Sequence, residues 1–211
     1  MSYPVIIIGG GGHAKVLIET LNLLATEIVG IVDPNINQEQ IYGLKVLRSD
    51  QEVFKYIPAK FKLINGIGSI GVTVKRREIY EFYKNKGYFF ASVIHPSAII
   101  SSDVELGEGV QLMAGVIIQP GSKIGENTIV NTRVSIDHDC EIGNHVHLAP
   151  GATLSGLVKI GSGTHIGTGA SIIQNISIGE NSIIGAGSVV IRNVKNKVKV
   201  VGNPARELEN N

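Results

Sequence analysis

Ile94, Ile100, Leu106, Leu112, Ile118, Ile124, Val130, Ile136, Ile142, Leu148, Leu154, Ile160, Ile166, Ile172, Ile178, Ile184 and Val190 form an unbroken series in which an aliphatic residue recurs at every sixth position. Four residues after each comes a small or β-branched one: Ala98, Val104, Val110, Val116, Ser122, Thr128, Val134, Cys140, Val146, Ala152, Val158, Thr164, Ala170, Ile176, Ser182 and Ser188. Helical faces repeat at about 3.6 residues and strand faces at about 2, so neither produces this period. A hexad with one large and one small inward residue fits a short strand followed by a corner. Three hexads close a triangular coil, and parallel ladder bonds stack it on the next at roughly 4.8 Å. Such an array buries its core only by stacking, which predicts a rigid solenoid. The glycines that follow the aliphatic residue (Gly107, Gly125, Gly143, Gly161, Gly167, Gly179 and Gly185) are expected at corners, where a missing Cβ permits unusual φ/ψ.

The series begins near residue 94 of 211, which predicts two domains, 1–92 and 93–211. The net charge of +1 supplies no global basic field and argues against a nucleic-acid partner. The basic clusters Lys75-Arg76-Arg77 and Arg192 to Lys199 carry no interleaved aromatics and read as solvated faces. Cys140 is the only cysteine, so no intramolecular disulfide forms and a reducing compartment is expected. It occupies a small inward position of the repeat and reads as a core thiol. Met1 to Ile8 lack a positive n-region, and no apolar run approaches the roughly 20 residues of a membrane span. These features predict a soluble cytoplasmic protein with no membrane partner.

Val5 to Ile8 is a continuous apolar run, followed by Gly9 to Gly12 and a helical pattern from His13 to Leu21. Ile28 to Val32, ending at Asp33-Pro34, and Leu63 to Ile67 read as further strands. Helices are predicted near Ser49 to Tyr56 and over Val72 to Lys86, with a last strand from Phe89 to Val93. This alternation predicts a small parallel α/β sheet of Rossmann-like type. Gly9 to Ala14 satisfies G-x-G-x-x-A, with Asp33 about twenty residues on, as a dinucleotide fingerprint requires. The stretch before the coils is too short for the usual two mononucleotide halves. Glycines at a helix N-terminus also suit the phosphates of a nucleotide sugar.

The hexads resemble those of the hexapeptide-repeat acyltransferases, whose domains are left-handed parallel β-helices that assemble as trimers. Joined to the strand, Gly9 to His13 turn and helix, they resemble one branch: the bacterial nucleotide-sugar N-acetyltransferases and sialic acid O-acetyltransferases of the PglD/NeuD-like family. The resemblance implies a homotrimer, with acetyl-CoA as co-substrate and a nucleotide-linked amino sugar held by the first domain. Gly11, Gly12, His13 and Asp33 would line the acceptor pocket, with Ile67, Gly68 and Ser69 as further contacts. The plainer reading of His13 is an ordinary residue of a helix N-terminus.

His138, His145, His147 and His165 fall outside the inward positions of their hexads, so each is expected to be exposed or to meet a neighbouring subunit. His147 and His165 are eighteen residues apart, which stacks them one coil apart on one face. The run from Asn131 to Gly143 resembles the family's catalytic segment, which implies His138 as general base, Asp139 as its acidic partner and Asn131 on the acceptor side. Some members carry Glu at the position of Asp139. His145 to Gly151 and Ser155-Gly156 resemble the segment that meets the acetyl donor, implying His147, His165 and the Gly156 N–H as donor contacts. The plainer reading of His145 and His165 is solvated surface. Lys195 to Arg206 resembles the family's G-N-P-A-[KR] ending, which implies Lys199 and Arg206 near coenzyme A phosphates; a plain edge strand and tail also fits.

The chemistry explains the residue types. A protonated amino sugar has no lone pair to attack a thioester, and imidazole is the side chain best suited to take that proton near pH 7. Some β-helix proteins bind zinc through three histidines, but the gaps here of 7, 2 and 18 residues differ from that pattern, and no metal is expected. The expected reaction is direct acetyl transfer from acetyl-CoA to the 4-amino group of a UDP- or GDP-linked deoxyhexose in bacterial glycan or O-antigen biosynthesis. The alternatives are O-acetylation of sialic acid or another sugar hydroxyl, and a non-catalytic nucleotide-sugar-binding scaffold.

Overall fold

The computed structural model describes residues 3–71 and 74–208. The chain opens with β1 (Val5–Ile8), α1 (Gly12–Leu23) and β2 (Ile28–Val32), as the pattern predicts. Two strands unmarked by periodicity follow, β3 (Gln40–Ile41) and β4 (Leu44–Leu47), then α2 (Asp50–Val53), β5 (Lys62–Asn65) and α3 (Val74–Asn85). The sheet order is β3-β4-β2-β1-β5, parallel except for the β3–β4 hairpin. Alternation along β1 sends Val5 and Ile7 into a core with Ala14, Leu17 and Leu21 of α1, and Ile6 and Ile8 into a second core with Val53 of α2 and Tyr80 and Tyr83 of α3. The expected strand at Phe89 to Val93 reduces to a bridge between Phe90 and Leu63, followed by the two-residue strand Val93–Ile94. Of the helix expected over Val72 to Lys86, Val72 and Thr73 lie outside the described residues.

From Val93 onward the chain is a parallel β-helix with three faces. The first face runs from Val93–Ile94 through Gln111–Leu112, Ile129–Val130, His147–Leu148 and His165–Ile166 to Ile183–Ile184, and the last coil adds Lys199–Val201. The second runs from Ile99–Ile100 to Val189–Val190, and the third from Glu105–Leu106 to Ser177–Ile178. Partners lie eighteen residues apart, so the inward aliphatic residues stack in columns and form a single core.

The glycines after each aliphatic residue serve a different purpose from the one expected. A Cβ on Gly143 would lie 2.7 Å from Ser162 N, and one on Gly161 2.5 Å from Glu180 N. Close approach of the next coil excludes a side chain there. The left-handed backbone falls two positions later, at Gly109, Asn127, Asp139, His145 and their equivalents.

The α/β domain sits on the first face. Gln111, Ile129 and His147, which point outward from the solenoid, are buried beneath it, and Met113 joins the α1 core. Arg76, expected on a solvated face, is only 1% exposed. Its Nη1 donates to the carbonyls of Asn65 (2.8 Å) and Ile67 (2.7 Å), and its Nε to that of Asn127 at a solenoid corner. His145 is likewise buried, at the same corner position one coil later, with Tyr80 edge-on at 5.5 Å. The histidines expected to face solvent or a neighbouring subunit are in these two cases covered by the chain's own first domain.

Replacing Arg76 leaves the Ile67 and Asn127 carbonyls at the junction without this donor, while the Asn65 carbonyl keeps Gln111 Nε2. Arg76→Leu is expected to cost about 3 kcal/mol or more and to lower Tm by roughly 6 °C or more. Arg77→Leu, which removes only an exposed pair with Glu81, should stay within about 0.5 kcal/mol. Equal melting temperatures for the two variants in a calorimetric scan would contradict this role for Arg76.

Candidate active site

A cleft of about 690 Å³ opens where the α/β domain meets the solenoid. Gly9 to Gly12, His13 and Asp33 line one side, and Gly66 to Ile70 another, while the solenoid contributes Asn131 and His147. Gly9 has φ +94°, and a Cβ there would lie 2.9 Å from Ile67, so the turn requires glycine. Asp33 Oδ2 accepts the Gly10 N–H at 2.9 Å and Oδ1 accepts the Asn35 N–H at 3.0 Å. The carboxylate therefore ties the glycine turn to the end of β2. Ile67 is held by Asn65 Oδ1 on its N–H and by Arg76 on its carbonyl.

Directional hydrogen bonds fix the histidines that face this cleft. Asn131 Oδ1 accepts the Thr132 N–H at 2.7 Å, so its amide nitrogen faces His147 Nε2 as donor at 3.3 Å. The proton of His147 is then on Nδ1, which meets Ser69 Oγ at 2.8 Å and the Ser69 carbonyl at 3.1 Å. Both ring nitrogens are thus engaged within the protein. Burial, with smaller contributions from His165, His13 and Arg76, lowers the His147 pKa to about 3. Burial and the Arg76 charge lower that of His13 to about 4, so both rings are neutral at pH 7. Arg76 is itself pushed down to about 9 by desolvation and remains a cation.

His138 and Asp139 lie elsewhere, at the corner between the second and third faces, and line no part of this cleft. Asp139 has φ +57°, a left-handed conformation that Asp tolerates better than most residues. Its Oδ2 meets His138 Nδ1 at 2.8 Å. A carboxylate only accepts, so Nδ1 carries the proton and Nε2 keeps a lone pair. The ring is about half exposed, 49%. Its Nε2 edge lies against Gly156, where a Cβ would come within 2.5 Å of both Nε2 and Cε1. The Gly156 N–H has no hydrogen-bond partner among the described residues. A ring nitrogen thus lies beside the backbone of a residue whose N–H is free, a combination suited to removing a proton and stabilising an oxyanion.

The residues picked out in the sequence thus fall into separate groups. Gly11, Gly12, His13, Asp33, Ile67, Gly68, Ser69 and Asn131 share the cleft, and His147 lies with them. His138, Asp139 and Gly156 form the second group. His165 stacks on His147 at 5.0 Å, and its Nδ1 is buried without a partner among the described residues. Lys199 and Arg206 are exposed in the last coil, where a shallow pocket includes Arg206, Arg192 and Lys195. Asn65, Arg76, Gln111 and Asn127, which join the two domains, carry no motif, and sequence reading missed them.

Family models match two parts of the chain: the PglD N-terminal domain over residues 4–82, and the bacterial transferase hexapeptide (six repeats) over 121–156 and 157–192. A mutant of perosamine N-acetyltransferase from Caulobacter crescentus, solved with CoA and GDP-perosamine, is 36% identical, with 98% of this chain and 97% of that one covered and a TM-score of 0.92. The acetyltransferase domain of PglB from Neisseria gonorrhoeae, in complex with acetyl coenzyme A, is 33% identical over 99% of this chain and 100% of that one, with a TM-score of 0.91. WeeI from Acinetobacter baumannii is 28% identical over 98% and 100%, with a TM-score of 0.84. A comparison with curated protein sequences finds no match.

The lowered imidazoles make stability pH-dependent. An unfolded histidine takes up its proton near pH 6.5, whereas His13 does so at about 4 and His147 at about 3. Their contribution is complete above about pH 6.5 and is lost as pH falls from there through the folded values. Tm should fall between pH 7 and 4.5, and His13→Gln, which cannot take up that proton, should show a shallower slope. An unchanged slope in that variant would contradict the assignment.

Proposed function

The chain belongs to the hexapeptide-repeat, left-handed β-helix acetyltransferases of the PglD/NeuD-like family, and from that premise we propose the reaction and the residues that perform it. The protein is an acetyl-CoA-dependent sugar N-acetyltransferase. Its acceptor is a UDP- or GDP-linked deoxyhexose with a 4-amino group, serving bacterial glycan or O-antigen assembly. The first domain, residues 1–92, holds the nucleotide, with its diphosphate at the Gly9 to Gly12 turn and the N-terminus of α1. The second, residues 93–211, holds acetyl-CoA, with His165 toward the thioester end and Lys199 and Arg206 toward the phosphates. The observation that carries the reading is the His138–Asp139 pair, whose Nε2 edge lies against Gly156.

The amine nitrogen attacks the thioester carbonyl while His138 Nε2 takes an amine proton and Asp139 stabilises the imidazolium that forms. The Gly156 N–H donates to the oxyanion. Collapse breaks the C–S bond, and the imidazolium returns a proton to the departing thiolate. Cys140 is buried and its thiol is pushed up to about 11 by desolvation, which suits direct transfer rather than an acyl-enzyme on that residue. A hydroxyl acceptor without a nucleotide would leave the glycine turn without a ligand, so we favour the nucleotide-linked amine.

The acceptor cleft and His138 lie on different parts of one chain, and a homotrimer resolves this by bringing the second face of one copy to the cleft of the next. The outward row of that face, Ile99, Ile117, Ser135, Thr153, Ser171 and Val189, carries no charge, and Ile99 is 66% exposed. The third face presents Glu105, Lys123, Glu141 and Lys159 paired along the stack. Charge depletion supports the second face as the contact surface in this reading.

The panel to run is thiol release from acetyl-CoA with UDP- and GDP-4-amino sugars, and sialic acid as hydroxyl control. His138→Ala should lower kcat by about 10²–10⁴ with the oligomer intact, and near-normal turnover would exclude it as the base. Thr153→Arg should dissociate the trimer on light scattering and abolish activity together; a monomeric, fully active variant would refute a site shared between copies.

A further inference from the structure

A single chain of hydrogen bonds runs from the cleft through the junction, and each bond in it has only one possible direction. The Asn65 carbonyl can only accept, so Gln111 Nε2 donates to it at 2.8 Å. Gln111 Oε1 is thereby fixed as an acceptor, and it meets His13 Nε2 at 2.7 Å. The side chain of Asn65 continues the line, donating to Asn127 Oδ1 at 3.1 Å, and Asn127 Nδ2 faces His145 Nδ1 at 3.0 Å. Gln111 is fully buried and cannot turn to water for other partners. His13 Nε2 therefore carries the proton, and Nδ1 holds a lone pair.

That lone pair has no partner among the described residues and is not one of the buried unsatisfied atoms, while His13 lines the cleft between the glycine turn and His147. Phosphate oxygens also only accept, so a lone pair on a neutral ring repels them. We propose that His13 selects the sugar of the acceptor, taking a hydrogen bond on Nδ1 from an O–H or N–H of the hexose, and makes no contact with the diphosphate. The inference rests on the acceptor reading given above. Burial and the neighbouring Arg76 charge keep the ring from protonating, which would turn the acceptor into a donor. Gln111 acts as a positioning residue by fixing the tautomer.

Two measurements test this on the full-length protein. In ¹⁵N-histidine-labelled protein at pH 7, the His13 resonances should show a protonated Nε2 and an unprotonated Nδ1; the reverse pattern would overturn the proposal whatever the protein's activity. Binding of UDP, GDP and their 4-amino-deoxyhexose conjugates is then compared for the wild type and His13→Gln, which keeps a partner for Gln111 but lacks Nδ1. Affinity for the matching nucleotide sugar should fall about five- to ten-fold, and affinity for the bare nucleoside diphosphate should stay within about two-fold. Acceptors lacking one ring hydroxyl separate the two sources: the analogue on which the variant loses nothing further identifies the donor, and if none does, the donor is the amine. Equal loss for nucleotide and conjugate would assign His13 to the diphosphate and refute the proposal. A wild type that binds no nucleotide sugar would remove the acceptor reading and this inference with it.

Discussion

The two folds are held together by a buried cation that has no carboxylate partner among the described residues. Arg76 meets only backbone carbonyls, one at the end of β5, one in the loop beyond it and one at a solenoid corner. Burying an unpaired charge is costly, and carbonyl dipoles offset that cost only while they stay aimed at the guanidinium. The arrangement thus fixes the loop from Gly66 to Ile70 against the coils. That loop is one wall of the cleft, so the shape of the cleft and the docking of the two domains depend on the same contact. The same charge, in a poorly screened interior, opposes protonation of His13 and His147.

The histidines divide by environment. His13 is half-buried and His147 buried where the domains meet, and their surroundings leave both rings neutral. His138 is half exposed, bonded by one nitrogen to a carboxylate and open at the other. A group that must exchange a proton during each turnover needs an accessible lone pair and a nearby charge to stabilise its protonated form. Groups that shape a pocket need the opposite, a fixed pattern of donors and acceptors. Within one chain the buried rings meet the second requirement and the corner ring the first.

Much of this was legible in the sequence, and the errors have physical causes. The six-residue series determines the coils, because each large residue must find the same inward column in the coil before it. The His138–Asp139 pair stood out because a polar corner with His and Asp side by side serves no purpose in the solenoid core. Arg76 was misread because Lys75, Arg76 and Arg77 look like one charged run. On α3, however, residue 76 shares a face with Tyr80 and Tyr83 at spacings of four and seven, and both tyrosines are buried. The β3–β4 hairpin left no trace because Gln40–Ile41 and Leu44–Leu47 are too short to show a period. Gln111 and Asn127 were invisible for another reason: outward positions of a repeat appear solvent-exposed until the domain that covers them is known.

The repeat also explains how a reactive pair is built from so few residues. From Gly109 to Gly187 each corner carries a left-handed residue, and at one corner that residue is Asp139, whose carboxylate meets the ring of the residue before it. The columns on either side must then be empty. A Cβ on Gly121, one coil earlier, would collide with the Asp139 carboxylate, and one on Gly156, one coil later, with the His138 ring. Two glycines, each eighteen residues from its partner in the pair, thus leave the space that the dyad fills. Because the stacking distance is set by ladder bonds along the whole solenoid, the ring, its carboxylate and the Gly156 N–H are held in register by the fold itself, and the cleft side can vary without moving them.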